Sequence, residues 1–136
     1  RVHVADGRNP GLEAGFDRVL VDAPCSGLGA LRRRPEARWR KSESDIAGLN
    51  ELQFELLESA LKLVRPGGVV VYSTCSPDLR ETRDVVDRAV AKLGAVELDA
   101  HELIPDMGDV GHHKSVQMWP HRHGTDAMFF AALRRD

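Results

Sequence analysis

The sequence predicts an α/β fold with a mostly parallel β-sheet. Short apolar segments typical of strands alternate with longer segments whose apolar residues recur at helical spacing. The chain has 136 residues, 42% of them hydrophobic and 29% charged, which is typical of one globular domain. No apolar run approaches the roughly 20 residues that a membrane span needs. We therefore expect a single domain over residues 1–136, without a membrane partner.

The first part of the chain predicts two strands, each ending in a polar loop. Residues 2–5 alternate loosely and precede a turn at residues 6–10. Residues 16–21 are a short apolar strand that ends at residues 22–27, a loop of small side chains. Residues 31–41, the basic segment, are expected to be irregular and carry six basic residues against one acidic residue. Such a cluster attracts phosphate even though the net charge of the chain is −2.

The longest predicted helix begins at a capping serine, Ser42 or Ser44, and ends at residues 66–68, a Pro-Gly-Gly sequence. Its apolar residues recur at spacings of three and four, as one buried helical face requires. They are Leu49, Leu52, Leu56, Ala60 and Leu63. The next segment, residues 69–72, is continuously apolar, which favours a strand covered on both faces.

The last part of the chain predicts a second helix, two strands and a long loop. The helix covers about residues 77–93, with Pro77 in its first turn. Residues 96–98 and 127–133 are expected to be strands. Residues 100–115 are rich in Gly, Pro, Asp and His, which predicts a loop between them.

Three predicted strands end near carboxylate or thiol side chains that could bind a ligand or act in catalysis. Asp6 follows the first strand, and Asp22 with Cys25 follows the second. Cys75 follows the third and is expected at a helix N-terminus, where the helix dipole lowers the pKa of a thiol. Ligands of α/β sheets bind beyond the carboxyl ends of strands, so we expect these residues to lie together. From position alone, Cys75 is equally consistent with a small buried side chain.

Two motifs contain the cysteines: Asp22-Ala23-Pro24-Cys25-Ser26-Gly27 and Ser73-Thr74-Cys75-Ser76. In this order, and each after a strand, they resemble the two cysteine motifs of the Sun-type RNA cytosine-5 methyltransferases, a family that includes bacterial 16S ribosomal RNA methyltransferases. Shorter matches extend the resemblance over nearly the whole chain. They are Asp6-Gly7-Arg8, Arg33-Arg34-Pro35, Arg38-Trp39-Arg40, the Leu-Val-Arg-Pro-Gly-Gly sequence at 63–68 and the segment 120–126.

The resemblance implies a Rossmann-like class I methyltransferase fold and transfer of a methyl group from S-adenosylmethionine to C5 of a cytosine in RNA. In this family a thiolate attacks C6 of the base, because C5 alone is a poor nucleophile. By resemblance, Cys75 is the nucleophile and Cys25 assists release of the product. Ribosomal RNA is the expected target, with transfer RNA as an alternative.

The resemblance also implies a role for the residues around the cysteines. Asp22 matches the aspartate between cofactor and base, Asp6 the aspartate near the adenine end of the cofactor, and Pro24 a further cofactor contact. Either aspartate is also consistent with a turn-stabilising residue. RNA-binding residues are expected in the basic segment and near the C-terminus: Arg33, Arg34, Arg38, Arg40, Trp39 and His123. Trp39 is consistent with stacking on a base, but packing beneath its loop is the more common role.

An incomplete fold is a further expectation from the resemblance. Family members carry a first and a second strand and a Gly-rich cofactor loop that do not precede Arg1 here. In the family these strands lie between the strands that end at Asp6 and Asp22, so we expect a gap in the sheet. Residues 1–136 are then the C-terminal part of one methyltransferase domain and should bind S-adenosylmethionine poorly. The family also often has Glu-Asn where this chain has Glu81-Thr82.

Two other functions are consistent with the motifs. One is an inactive RNA-binding fragment, and the other is a thiol redox protein using Cys25 and Cys75, although the Cys-x-x-Cys spacing is lacking. The histidines do not have the spacing of a zinc site, so we expect no metal. Two cysteines do not make a disulfide framework, and no secretory signal is present, which predicts reduced thiols in the cytoplasm.

Overall fold

The structure is a computed structural model that describes all 136 residues. A five-stranded mixed β-sheet forms its centre. The strands are β1 (Phe16–Asp22), β2 (Val64–Thr74), β3 (Val96–Leu98), β4 (Val116–Gln117) and β5 (Phe129–Arg134). Their order is β1-β2-β5-β3, and β4 also pairs with β5. The predicted α/β class is confirmed.

The prediction of a mostly parallel sheet is wrong. Only β1 and β2 pair in parallel, whereas β5 pairs antiparallel with β2, β3 and β4. A parallel pair needs a crossover connection, and β1 and β2 are the only neighbouring strands that a long helix joins. Because β5 lies between β2 and β3, the helix that connects those two strands does not produce a second parallel pair.

The helices are α1 (Glu43–Leu63), α2 (Arg83–Leu93) and the short α3 (Pro120–His123). Ser42 caps α1 as one of the two predicted serines: its Oγ accepts from Asp45 N at 3.4 Å, and its N–H donates to Asp45 Oδ2 at 2.8 Å. None of the helices combines the length and apolarity that a membrane crossing requires.

Helix α1 ends at Leu63, before the predicted helix end at residues 66–68, and the chain continues directly into β2. Val64 is the C-cap of the helix and already pairs with Phe16 of β1, and the register shifts before Arg18 pairs with Val69. Gly67 has φ 77° within this shift. The Pro-Gly-Gly sequence is therefore an irregularity inside a long strand, which explains why β2 begins earlier than the predicted strand at 69–72.

The hydrophobic core lies between the sheet and the helices α1 and α2. On α1 the fully packed side chains are Ile46, Phe54, Leu57 and Leu61. Of the predicted face, only Ala60 is buried, and its leucines are half-buried. The helix carries two adjacent apolar stripes, and α2 with β2 covers only one of them.

The second stripe of α1 lies beside β1, which is a sheet edge. Leu20 of β1 is 68% exposed, and residues 2–5 form no strand, with Val2 and Val4 almost fully exposed. A strand requires a hydrogen-bonded neighbour, and none lies beyond β1. The predicted strand at 2–5 is therefore wrong, and a free edge stands where a gap within the sheet was expected.

The second helix begins later than predicted. Residues 79–81 form a separate 3₁₀ turn, and α2 starts at Arg83, so Pro77 lies in a loop. Asp78 caps this turn by accepting from Arg80 N at 2.9 Å. Thr82 then leaves the helical conformation, with φ −125° and ψ −97°. The break separates Cys75 from the N-terminus of α2.

Residues 100–118 cover the other face of the sheet. A small apolar cluster there joins Ala100, Val110, Val116 and Ala132. Neighbouring Ala131 faces the helices instead, as alternation along β5 requires. The predicted loop at 100–115 is thus largely confirmed, although it contains a 3₁₀ turn at Ala100–Leu103 and leads into β4.

Replacement of Leu57 by alanine should lower the free energy of unfolding by about 2–5 kcal/mol, because this side chain is fully buried between the sheet and α2. The matched control is Leu20→Ala, which removes the same atoms from a side chain that is 68% exposed and should change stability by less than about 0.5 kcal/mol. Urea unfolding measures both. Equal losses would show that the core is not placed as described.

Candidate active site

The two cysteine loops meet at the carboxyl ends of β1 and β2. The parallel register pairs Asp22 with Ser73, so the residues that follow these strands lie side by side. Cys25 Sγ and Cys75 Sγ are 3.3 Å apart although 50 positions separate them, and neither forms a disulfide. Two half-buried thiols in contact can share one proton.

This contact shifts the pKa values of the two thiols in opposite directions. A hydrogen bond donated by Cys25 lowers the pKa of Cys75 to about 7, and partial burial opposes it. The same hydrogen bond, together with burial, raises the pKa of Cys25 well above its usual range. Near neutral pH the pair therefore holds one proton on Cys25, and Cys75 is available as a thiolate. The expected source of activation, the N-terminus of α2, is wrong because that helix begins at Arg83.

A cleft of about 690 Å³ opens onto both cysteines. Asp22, Pro24 and part of the basic segment line it. The residues of that segment in the lining are Arg33, Arg34, Glu36, Ala37, Arg40 and Lys41. The structure thus brings the predicted catalytic residues and part of the predicted RNA-binding set to one cavity, which we call the cysteine cleft.

A tight backbone contact docks the start of the basic segment beside Cys75. Gly29 N donates to Cys75 O at 2.9 Å, and Ala127 N donates to Gly29 O at 2.8 Å. A Cβ on residue 29 would lie 2.1 Å from Ala127 O and 2.7 Å from Cys75 O. Glycine is therefore the residue that permits this approach.

Asp126 holds two arginines of the basic segment. Its carboxylate accepts from Arg32 Nε at 2.6 Å and lies 2.6 Å from Arg33 Nη2. These hydrogen bonds, Arg33 first, lower the pKa of Asp126. Arg33 is therefore anchored as well as exposed to the cleft. Asp126 was not among the predicted site residues; its place just before an apolar strand was the available signal.

The remaining basic residues are free to meet a ligand. Arg34, Arg38 and Arg40 are exposed. Trp39 is 82% exposed, and the Arg38 guanidinium lies 5.9 Å from its ring centroid. The expectation that Trp39 packs beneath its loop is therefore wrong, because the short 3₁₀ turn at Pro35–Trp39 directs the indole outward.

His123 is placed apart from the cysteine cleft, whose lining does not include it. Its Nδ1 accepts from Trp119 N at 2.9 Å, which leaves the ring proton on Nε2 to donate to Gly108 O at 2.8 Å. Both ring nitrogens are thus occupied by backbone groups. The histidine ties α3 to the preceding loop and offers no free polar atom to RNA in this arrangement.

Beside the cysteine cleft, a largely apolar groove of about 500 Å³ lies between β1 and α1. Asp22 and Pro24 line both cavities, so the two meet at these residues. Asp6 is not in the lining of this groove, but its neighbour Gly7 is. Hydrogen bonds from Arg8, at 2.7 Å from Nη2, lower the pKa of Asp6 to about 2.

Sequence reasoning missed a buried polar cluster behind the cysteines. Glu81 is fully buried and accepts from Ser26 Oγ at 2.6 Å, from Ser76 Oγ, and from Gln53 Nε2 at 3.2 Å. Glu81 is surrounded by charged residues in the sequence, a pattern typical of an exposed helix, and its match to the glutamate of the family's Glu-Asn pair was the available signal. No three histidine, cysteine or acidic side chains gather as a metal site.

Comparisons with known proteins show the family to which the chain is similar. A family model described as 16S rRNA methyltransferase RsmB/F matches residues 1–134. Rv1407 of Mycobacterium tuberculosis is 60% identical over 131 residues, which are 96% of this chain and 29% of the relative. Ribosomal RNA small subunit methyltransferase B of Shewanella oneidensis is 36% identical, over 87% of this chain and 27% of its own. The chain thus spans less than a third of these relatives.

Two solved structures share the fold. One is NSun6 from Pyrococcus horikoshii with SFG, with a TM-score of 0.82 and 30% identity over 98% of this chain and 34% of that chain. The other is a methyltransferase homolog protein from the same organism, with a TM-score of 0.80 and 26% identity over 99% of this chain and 44% of that chain. The resemblance to a Rossmann-like methyltransferase fold is thereby confirmed.

Alkylation of Cys75 by iodoacetamide should rise with pH around a midpoint of about 7, because the thiolate reacts and forms above its pKa. Cys25→Ala removes the hydrogen-bond donor and should move the midpoint up towards the ordinary value of 9.0. Cys25→Ser retains a donor and should move it less. Mass spectrometry of the peptides measures each site. A wild-type midpoint near 9, or faster alkylation of Cys25 than of Cys75, would contradict the assignment.

Proposed function

The chain belongs to the 16S rRNA methyltransferase RsmB/F family, and from this premise we propose that its cysteine cleft methylates C5 of a cytosine in RNA. The observation that carries the proposal is the 3.3 Å contact between Cys25 and Cys75 at the wall of a cleft with a basic rim. Residues 1–136 are part of one methyltransferase domain in this proposal. The family description favours ribosomal RNA as the substrate.

Cys75 is the proposed nucleophile. Its thiolate adds to C6 of the cytosine, forming a carbon–sulfur bond and moving the electron pair of the 5,6 double bond into an enamine that makes C5 nucleophilic. The lowered pKa of Cys75, about 7, supports this role, because an unperturbed thiol would be only a few per cent ionised at neutral pH. The base must leave its stack to enter the cleft, so contacts to flanking nucleotides are expected.

Cys25 is proposed to assist release of the product. In the free protein its proton is held by the neighbouring Cys75 thiolate, which is the main reason that the pKa of Cys25 is high. Once Cys75 sulfur is bonded to C6 it is no longer an anion, so this cause disappears and Cys25 releases its proton to solvent more readily. After C5 has been methylated, the Cys25 thiolate takes the C5 proton, the double bond re-forms, and the Cys75 thiolate leaves.

Asp22 stands where the two cavities meet, and we assign it the contact with both the base and the methyl donor. S-adenosylmethionine supplies the methyl group from a cationic sulfonium. The Asp22 carboxylate at this junction offers a negative charge to such a sulfonium. Pro24 lines the same junction. Asp6 already accepts hydrogen bonds from Arg8, and its half-exposed carboxylate has further acceptor capacity for polar groups of the ligand.

The basic segment is the proposed RNA contact. Arg34, Arg38 and Arg40 carry exposed charges suited to phosphate, and Trp39 offers an exposed ring for stacking on an unpaired base. Arg33 contributes to the same rim while bonded to Asp126. A thiol redox protein is the second candidate, because the two sulfur atoms are close enough to join after a small movement.

Cys25→Ala in the complete polypeptide that carries this sequence should accumulate a covalent protein–RNA adduct. The variant can form the Cys75–C6 bond but lacks the group that completes release. Incubation with 16S ribosomal RNA and S-adenosylmethionine, followed by a denaturing gel, measures the adduct. The double variant Cys25→Ala, Cys75→Ala is the control and should give none.

Three outcomes of this experiment separate the candidates. An adduct that requires Cys75 supports the methyltransferase. RNA binding without adduct or methyl transfer would identify an inactive binding module. Rapid Cys25–Cys75 disulfide formation under mild oxidant, with no methyl transfer by the wild type, would favour the redox protein.

Paired substitution of Arg34 and Arg40 by alanine should weaken RNA binding and reduce its salt dependence. Each lost phosphate contact should lower the slope of log affinity against log salt by about 0.7 for a single strand. The control pair is Lys62→Ala with Lys92→Ala, which removes the same charge from exposed positions of α1 and α2. Fluorescence anisotropy across salt concentrations measures the slope. Equal slopes for the two pairs would contradict a specific role for the cleft rim.

A further inference from the structure

Glu81 is a carboxylate in the interior without a cationic partner. Its side chain is fully buried, and the groups that bond to it are neutral. Taking a carboxylate out of water is costly unless hydrogen bonds replace the lost solvation. A buried carboxylate whose hydrogen-bond partners are all neutral therefore points to a specific task.

The donors to Glu81 come from three separate parts of the chain. Ser26 donates twice, from its backbone N–H at 2.7 Å to Oε1 and from its hydroxyl at 2.6 Å to Oε2. Ser76 donates its hydroxyl to the same Oε2, and Gln53 of α1 donates to Oε1. Ser26 directly follows Cys25, and Ser76 directly follows Cys75. One carboxylate oxygen thus joins the two cysteine loops.

The hydroxyl protons of both serines are directed to Glu81 by their other partners. Asp78 N–H donates to Ser76 Oγ at 3.1 Å, and Leu28 N–H donates to Ser26 Oγ at 3.4 Å. Each oxygen accepts from the backbone and so has its own proton left for the carboxylate. The four donors are then satisfied by a single acceptor group.

The backbone around Glu81 is fixed as well. Tyr72 of β2 donates its hydroxyl to Glu81 O at 2.8 Å, and the tyrosine is fully buried. Gln53 Nε2 also donates to Pro24 O at 2.9 Å, next to Cys25. Backbone bonds from Ala23 N to Ser73 O and from Gly29 N to Cys75 O hold the Cys25 loop on either side. Glu81 adds the contacts that bind Ser26 and Ser76 themselves.

We propose that Glu81 is a positioning residue that holds Cys25 and Cys75 at hydrogen-bond distance by binding the serine after each of them. This inference rests on the proposed function for its catalytic meaning, since the proton shared by the two thiols is what prepares Cys75. It does not require Glu81 to touch RNA or the methyl donor. Glu81 acts through the loops, so its loss separates the sulfur atoms rather than removing a reacting group.

Glu81→Ala should lower the yield of a thiol-bridging reagent, dibromobimane, across Cys25 and Cys75 severalfold at neutral pH. It should also move the midpoint of Cys75 alkylation upward from about 7 towards 9.0. Glu81→Gln retains one acceptor oxygen and the side-chain volume, and should restore a substantial part of both signals. Both readouts use the protein alone, without RNA.

Tyr72→Phe is the matched control. It removes the hydrogen bond to the Glu81 backbone, and so lowers stability, but leaves the carboxylate and its serine partners in place. It should retain the wild-type bridging yield and alkylation midpoint. If Glu81→Ala does not fold, Ser76→Ala replaces it in the test. This variant removes one of the two serine hydroxyls that donate to Glu81 Oε2, and it should show smaller changes in the same direction.

Unchanged bridging and an unchanged midpoint in a folded Glu81→Ala or Ser76→Ala variant would overturn the proposal. Equal losses of bridging yield in Tyr72→Phe would also overturn the proposal, because Glu81 would then act only by stabilising the fold. A wild-type protein that shows no methyl transfer would instead count against the proposed function, while these thiol measurements would still decide whether Glu81 positions the cysteines.

Discussion

The parallel pairing of β1 with β2 is the constraint on which the site depends. Its register places Asp22 opposite Ser73, so two loops that are far apart in the sequence leave the sheet as neighbours. The long helix α1 is the crossover that makes a parallel pair possible, and its buried stripe fills the space between the strands and α2. The 3.3 Å contact between the thiols follows from this frame together with the buried hydrogen bonds of Glu81.

Much of the frame could be predicted, because it depends on local pattern. The apolar strands β1 and β2, the cap at Ser42 and the long helix all follow from spacing and composition. The order of the sheet could not be predicted in the same way, because insertion of β5 between β2 and β3 is a long-range pairing. The strand expected at residues 2–5 has strand-like alternation but no neighbour to bond, so pattern alone overestimates it.

Some residues of the candidate site could be predicted from the sequence, and others could not. Cys25, Cys75 and Asp22 could be found from two short motifs at strand ends, and the structure brings them to one cleft. The burial of Glu81 could not be predicted, although the resemblance matches this glutamate, since burial depends on serines from both loops turning towards it. The exposure of Trp39 also escaped prediction, because it is set by a short turn whose direction depends on how the basic segment docks on the sheet. Sequence pattern does not identify residues whose role depends on contacts between distant segments of the chain.

Titration of both thiols by nuclear magnetic resonance measures which of the two sulfur atoms holds the shared proton. Cysteine labelled with ¹³C at Cβ reports the ionisation of Cys25 and Cys75 separately, without a reagent that competes for either sulfur. We expect Cys75 to ionise with a pKa of about 7 while Cys25 keeps its proton well above that pH. Ionisation of Cys25 first, or of both thiols together near 9, would contradict this expectation.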